Sequence, residues 1–146
     1  MKKKKRNNIL NFLKTGSVHN INIGDSESII LKKFSKKLEK SFDNQESKGF
    51  YLDTYELQFY QSKLSCIAIN KLHLKNCYLK TKEITMSITS KIDISRLLNF
   101  LNNAKIEWSF KTYSSEKRIL LIQTESKVNI LVDCSETTPE IAKILR

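Results

Sequence analysis

Two histidines and three cysteines are the chain's stock of side chains for imidazole or thiol chemistry, and their spacing supports neither. Nucleophilic or acid–base catalysis needs a Cys, Ser or His held against a base. His19 falls in an entry loop, and His73 sits between Leu72 and Leu74; each reads as a surface or capped imidazole. Cys77 follows His73 by four residues, a helical spacing, but no third group marks the pair. A zinc centre takes about four ligands in paired spacing, and Cys66, Cys77 and Cys134 contain no CxxC pair. Cys66 lies in an apolar strand-like run, where a thiol acts as a small buried hydrophobe. No catalytic residue, metal ligand or cofactor is assigned, and the chain is expected not to be an enzyme. Unpaired cysteines in odd number suit a reducing compartment.

Charge is the next source of chemistry. Lys and Arg number 26 against 15 Asp and Glu, a net charge of +11 over 146 residues. Lys2 to Arg6 form an unbroken basic run; outside it, 21 basic residues face 15 acidic ones. Much of that excess is lysine amid abundant Asn and Ile, the bias of an AT-rich coding sequence. Lys33, Lys36, Lys37 and Lys40 recur at i, i+3, i+4 and i+7, which would align them on one helix face as a partner-binding surface. Compact lysine charge suits an acidic protein surface and accelerates encounter more than it tightens a complex. Nucleic acid is the alternative partner for this face and the basic arm. Base readout and stacking call for arginines and exposed aromatics among the basic residues, and no such motif is legible.

The elements that would position these groups follow from periodicity. A chain of this length can bury roughly two thirds of its unfolded surface, enough for one domain without disulfides or metals. Residues 1–16 read as a basic, flexible arm with a short apolar patch at Ile9, Leu10, Phe12 and Leu13, which could make one helical turn against the core or against a bilayer surface. That patch is shorter than the ~7 residues of a secretory core or the ~20 of a membrane span. A cytoplasmic protein is expected. Residues 17–146 form the domain, in approximate halves 17–90 and 91–146. Asp25 suits an N-cap, and Ile30 or Leu31, Phe34 and Leu38 give a helical apolar stripe. Ser41 to Gly49 reads as a loop. Phe50–Leu52, Tyr55–Phe59, Leu64–Ile69 and Glu83–Ser90 read as strands. Asp93 caps a second helix through Ile94, Leu97, Leu98 and Leu101. Strands follow at Ile106–Phe110, Arg118–Gln123 and Lys127–Val132, with a turn at Tyr113–Lys117. Trp108 reads as a core residue. Thr138-Pro139 reads as the cap and first turn of a final helix. The expected class is α+β, an antiparallel sheet with helices on one face, in an order that allows two αβββ units in tandem.

Gly24-Asp25-Ser26 before a capped helix, then Tyr55-Glu56-Leu57-Gln58-Phe59 and Leu64-Ser65-Cys66-Ile67-Ala68-Ile69, resembles a loose group of small bacterial proteins. Many of these look like immunity proteins encoded beside polymorphic toxins. The helix-plus-strands unit is also similar to the SmpA/BamE lipoprotein domain and to β-lactamase inhibitor protein. The likeness covers about 50 residues well and about 110 loosely. It departs from the family pattern at Leu38-Glu39-Lys40-Ser41, where a Leu-Gly-x-Pro turn is usual, and at Asp53-Thr54, where glycine is frequent. It also lacks a lipobox cysteine. The resemblance implies a binding module, and within that class an immunity protein that occludes a cognate toxin. Its centre adds Asp53, Tyr55 and Glu56 to the candidate partner-binding residues; for Glu56 the alternative is a solvent-facing glutamate or a cross-sheet pair with lysine.

Overall fold

The computed structural model describes residues 5–111 and 118–146. Lys2 to Lys4 and the turn expected at Tyr113–Lys117 lie outside the described residues. The chain opens with strand β1 (Asn7–Asn8), helix α1 (Leu10–Thr15) and helix α2 (Glu27–Phe34). A four-strand meander follows: β2 (Glu39–Asp43), β3 (Ser47–Leu52), β4 (Tyr55–Tyr60) and β5 (Lys63–Asn70). A 3-10 turn (Lys71–Asn76) leads to β6 (Cys77–Lys80) and β7 (Thr85–Ser87). Helix α3 (Ile94–Asn103) then precedes a second meander: β8 (Trp108–Lys111), β9 (Ile119–Thr124), β10 (Asn129–Asp133) and β11 (Glu140–Leu145).

The two meanders join into one eight-stranded antiparallel sheet in the order β2-β3-β4-β5-β11-β10-β9-β8. The seam is the antiparallel pairing of β5 with β11, Ala68 to Asn70 against Leu145 to Lys143. Each half is thus a helix followed by four strands, with the last strand of each at the centre. Strands β1, β6 and β7 form a small separate sheet, in which β1 runs parallel to β6. The architecture is α+β with strand predominating. Tyr55, Leu57 and Phe59 on β4, Ile67 and Ile69 on β5, and Ile144, Ile130 and Ile122 across the second half are all buried on one face. Helices and small sheet cover that side. The Phe12 ring of α1 meets Tyr55 edge-on at 5.4 Å, and Glu27 of α2 pairs with Lys48 of β3 at 3.3 Å.

Periodicity misassigned one strand in each half, the first (β2) in one and the last (β11) in the other. Ser41–Gly49, expected as a loop, spans β2 and β3, joined by a tight turn in which the Asn44 carboxamide accepts from Ser47 N–H at 3.0 Å. The segment after Pro139, expected as a helix, is β11. Its helix-like i, i+3 spacing of Ile141 and Ile144 has a local cause. Val132 pairs with Ile141 and Leu131 with Lys143, so Ala142 is an extra residue that shifts the alternation. The same device at Ser65 separates Leu64 from Ile67 by three residues while both stay on the core face. At β4–β5, Gln61 (φ 48°) and Ser62 (φ 64°) are both left-handed, the backbone of a two-residue hairpin loop with matching twist.

Helix starts and stops also needed correction. Asp93 caps α3 as expected, its carboxylate accepting from Arg96 N–H at 3.2 Å. Asp25 does not cap α2: Ser26 occupies that position, and the Asp25 carboxylate instead accepts from Asn22 N–H at 2.8 Å. Helix α2 ends at Phe34 rather than running through Leu38. Lys32 with Lys36, and Lys33 with Lys37, would be like-charge i, i+4 pairs in a longer helix, and β3 needs Glu39–Asp43 as its neighbour.

The amino-terminal segment is not an arm from residue 5 onward. Ile9, Phe12 and Leu13 are buried in the common core. Asn8 clamps Lys80, its amide donating to the carbonyl at 3.3 Å and its oxygen accepting from the N–H at 3.2 Å. Gly16 takes the left-handed conformation (φ 69°) that closes α1. The Arg146 guanidinium reaches the Thr15 and Gly16 carbonyls at 3.5 and 3.4 Å, satisfying acceptors the helix end leaves over.

Candidate functional site

The sheet has one face packed under helices and one face left open, and cross-strand register assigns each residue to a side. One row crosses all eight strands on the open side: Glu39, Tyr51, Glu56, Ala68, Leu145, Asn129, Gln123 and Ser109. A parallel row in the second half holds Lys143, Leu131, Leu121 and Lys111. Leu145, Leu131, Leu121 and Tyr51 are half-buried and Ala68 and Glu56 are buried between them, so the open side carries apolar area that no layer among the described residues covers. Glu39, Glu56, Asp133 and Glu140 contribute carboxylates, against the ammonium groups of Lys63, Lys111 and Lys143. None of the chain's large positive excess therefore resides on this face.

Glu56 sits at the heart of the first half of that face and is only 8% exposed. Gln58 Nε2 donates to it at 2.5 Å and Asn70 Nδ2 at 3.4 Å. Glu56 also acts on Tyr51 beside it on β3, and the carboxylate's acceptor oxygens, with burial and its charge, push the phenol above its ordinary value. A buried carboxylate requires hydrogen-bond donors; they come from β4 and β5, which is why Glu56 is neither solvent-facing nor paired with a lysine. The Tyr51 ring in turn lies 5.1 Å from His73. His73 and Cys77 form no catalytic pair: Cys77 is buried, and its Sγ–H donates to the His73 backbone carbonyl at 3.5 Å.

The remaining candidates scatter. Lys33 is exposed in the last turn of α2, with Nζ 5.3 Å from the Phe34 ring. Lys36 and Lys37 lie in the turn beyond the helix, and Lys40 is on edge strand β2, paired with Asp43 at 2.6 Å. The single lysine face does not exist. Asp53 (φ 55°) occupies the β3–β4 turn and pairs with His19 at 3.1 Å. Tyr55 is buried against Phe12 and offers no surface to a partner. Lys37 and Asp53 do meet, together with Lys5, Tyr51 and His73, around a cleft of about 440 Å³ at the edge of the open face. Glu39 and Asp53 offset its two lysines, so it makes no anion cradle. Sequence reasoning missed Gln58, Asn70, Leu131 and Leu145. The available signal was a polar or apolar residue at the off-core positions of strands already recognised.

Among the described residues, no group of three or more His, Cys, Asp or Glu side chains converges to hold a metal, and no helix is long and apolar enough to cross a membrane. The fold and this face define an α+β protein with an uncovered sheet. No protein-family model, curated protein sequence or solved structure matches the chain.

Four groups hold their protons more firmly folded than unfolded. Burial raises Tyr55, Cys66 and Cys77, and Glu56 raises Tyr51. An unfolded chain ionises cysteine near pH ~8.5 and tyrosine near ~10. Above those values the unfolded state binds fewer protons, so stability falls as pH rises. Urea midpoints are expected to decline from about pH 9 upward, and Tyr55→Phe, which cannot ionise, should flatten the decline between about pH 10 and 11. An unchanged slope in that variant would remove Tyr55 as a source.

Proposed function

We propose that this protein is a protein-binding module that docks a partner on the open face of its eight-stranded sheet. The observation that supports this reading is the uncovered row from Tyr51 and Glu56 to Leu145, Leu131 and Leu121. It is apolar at half-buried positions, near neutral in charge within a +11 chain, and stiffened at Glu56 by two donors. Preorganised polar groups within an apolar patch lower the ordering cost of association. The toxin-immunity resemblance supplies the specific form: stoichiometric occlusion of a cognate toxin in the cytoplasm, with no reaction catalysed. Contact through a near-neutral face also removes the electrostatic conflict that a basic inhibitor would meet at a basic toxin.

The expected complex with the neighbouring gene's product is 1:1, buries roughly 1,200–2,000 Å², and suppresses that product's toxicity. Leu131→Glu places a carboxylate directly opposite Lys143, a favourable cross-strand pair in the free protein. At an interface the same charge is desolvated, so binding should weaken about thirty-fold or more while the melting temperature holds. Co-purification that ignores this substitution would move the contact elsewhere; absence of any complex would remove the reading.

A further inference from the structure

The helix-bearing side carries a second surface, made by segments far apart in sequence. Lys14 in the last turn of α1, Lys80 at the end of β6, Lys82 in the β6–β7 turn and Lys105 just beyond α3 line one cleft of about 750 Å³. All four are exposed. Glu83 is the one carboxylate among the cleft's lining residues. The ion pairs among the described residues engage His19, Lys40, Lys48 and Lys71, and none of these four. Four ammonium groups against one carboxylate around one concavity leave a local excess of positive charge, which raises the potential and favours a polyanion.

Lys105 also borders the adjoining recess, which Trp108 and Asn102 line. Trp108 Nε1–H donates to Asn102 Oδ1 at 2.9 Å, fixing the indole. The Phe110 ring stands against it at 5.1 Å and 67°, and Phe110 is 52% exposed. Both belong to β8, the outer edge of the sheet: Trp108 is half-buried and packs against the core as expected, while Phe110 stands outside it. A lysine track that passes into a half-buried, hydrogen-bonded indole with an exposed phenyl ring against it matches the chemistry of a single strand: phosphates on ammonium groups, bases on ring faces. An acidic peptide would use the lysines and leave the rings idle.

We propose that the cleft of Lys14, Lys80, Lys82 and Lys105, with Trp108 and Phe110 beside it, binds single-stranded nucleic acid. This surface lies on the side of the sheet opposite the row containing Leu131, so it stands independently of the protein-docking face.

Trp108 is the sole tryptophan, so its fluorescence reports on the site itself. Titration of the full chain with oligo-dT and oligo-rU 12-mers at low salt is expected to quench it. The log–log salt slope should be about −2 to −3, from about 0.7 per phosphate contact on single strands. Lys80→Ser/Lys82→Ser should weaken binding at least tenfold and reduce the slope by about 1.4. Phe110→Ala should weaken binding five- to hundred-fold, the range for one lost base stack, with the salt slope unchanged. Lys33→Ser/Lys36→Ser and Leu131→Glu should leave binding as it is. Absence of quenching, equal affinity for duplex or poly-glutamate, or equal loss in the Lys33→Ser/Lys36→Ser control would overturn the assignment.

Discussion

Removing residues 140–146 is expected to abolish cooperative folding. Those residues include β11, which lies between β5 and β10 and joins the second meander to the first. Ile141 and Ile144 are each 1% exposed, and loss of either side chain alone costs about 2–5 kcal/mol. Their combined loss approaches the ~5–15 kcal/mol that stabilises a whole domain, before the two newly unpaired strand edges are counted. Arg146 goes with them, and with it the carbonyl contacts at the end of α1. The truncated chain should show no cooperative urea transition and should bind a hydrophobic dye. A docked terminal helix, as the Thr138-Pro139 pattern suggests, would come away at far lower cost. A sharp, near-native transition after truncation would contradict the central placement of β11.

Phe12→Ala is expected to destabilise the protein by about 3–5 kcal/mol, the usual cost of emptying a buried aromatic site. The side chain is 1% exposed and packs edge-on against Tyr55, itself 5% exposed. Urea unfolding monitored by circular dichroism gives the value directly. A double-mutant cycle between Phe12→Leu and Tyr55→Leu should show a coupling of about 0.5–1.5 kcal/mol, typical of aromatic pairs. A loss below about 0.5 kcal/mol, the scale of ordinary surface substitutions, would return the segment to the status of a flexible leader. The same variant leaves the lysine cleft's other walls in place, because of its lining residues only Leu10 and Lys14 ride on α1.

Strong, uninterrupted periodicity was legible and local bulges were not. Ile94, Leu97, Leu98 and Leu101 behind Asp93 announced α3, and Tyr55, Leu57 and Phe59 announced β4, because each alternates at one period throughout. Strand β11 was hidden because Ala142 converts a strand's period of two into a helix-like spacing of three. Strand β2 was hidden because it is an edge with polar residues and its own interruption at Ser41. The α+β class was therefore readable, while β2 of the first meander and β11 of the second were not. The site divides in the same way. Glu56 was singled out from its place on β4, but its burial depends on Asn70, fourteen residues away and adjacent only through sheet pairing. Lysine spacing matched a helix template over a segment where the helix had already ended. The basic cleft was invisible because Lys14, Lys80, Lys82 and Lys105 share no local pattern; only the packing of α1, β6 and α3 gathers them.

The seam between β5 and β11 also dictates an order of events during synthesis on the ribosome. Strand β5 has left the exit tunnel long before residues 143–145 are polymerised, and its inner edge must wait unpaired through the making of some seventy residues. Non-local pairing of this kind slows folding, and an open hydrogen-bonding edge invites other nascent chains. The small sheet and α3 are completed within that interval, so a half-built molecule can bury apolar surface while its largest layer remains unzipped. The interval between making β5 and making β11 therefore sets how long that edge stays open to aggregation.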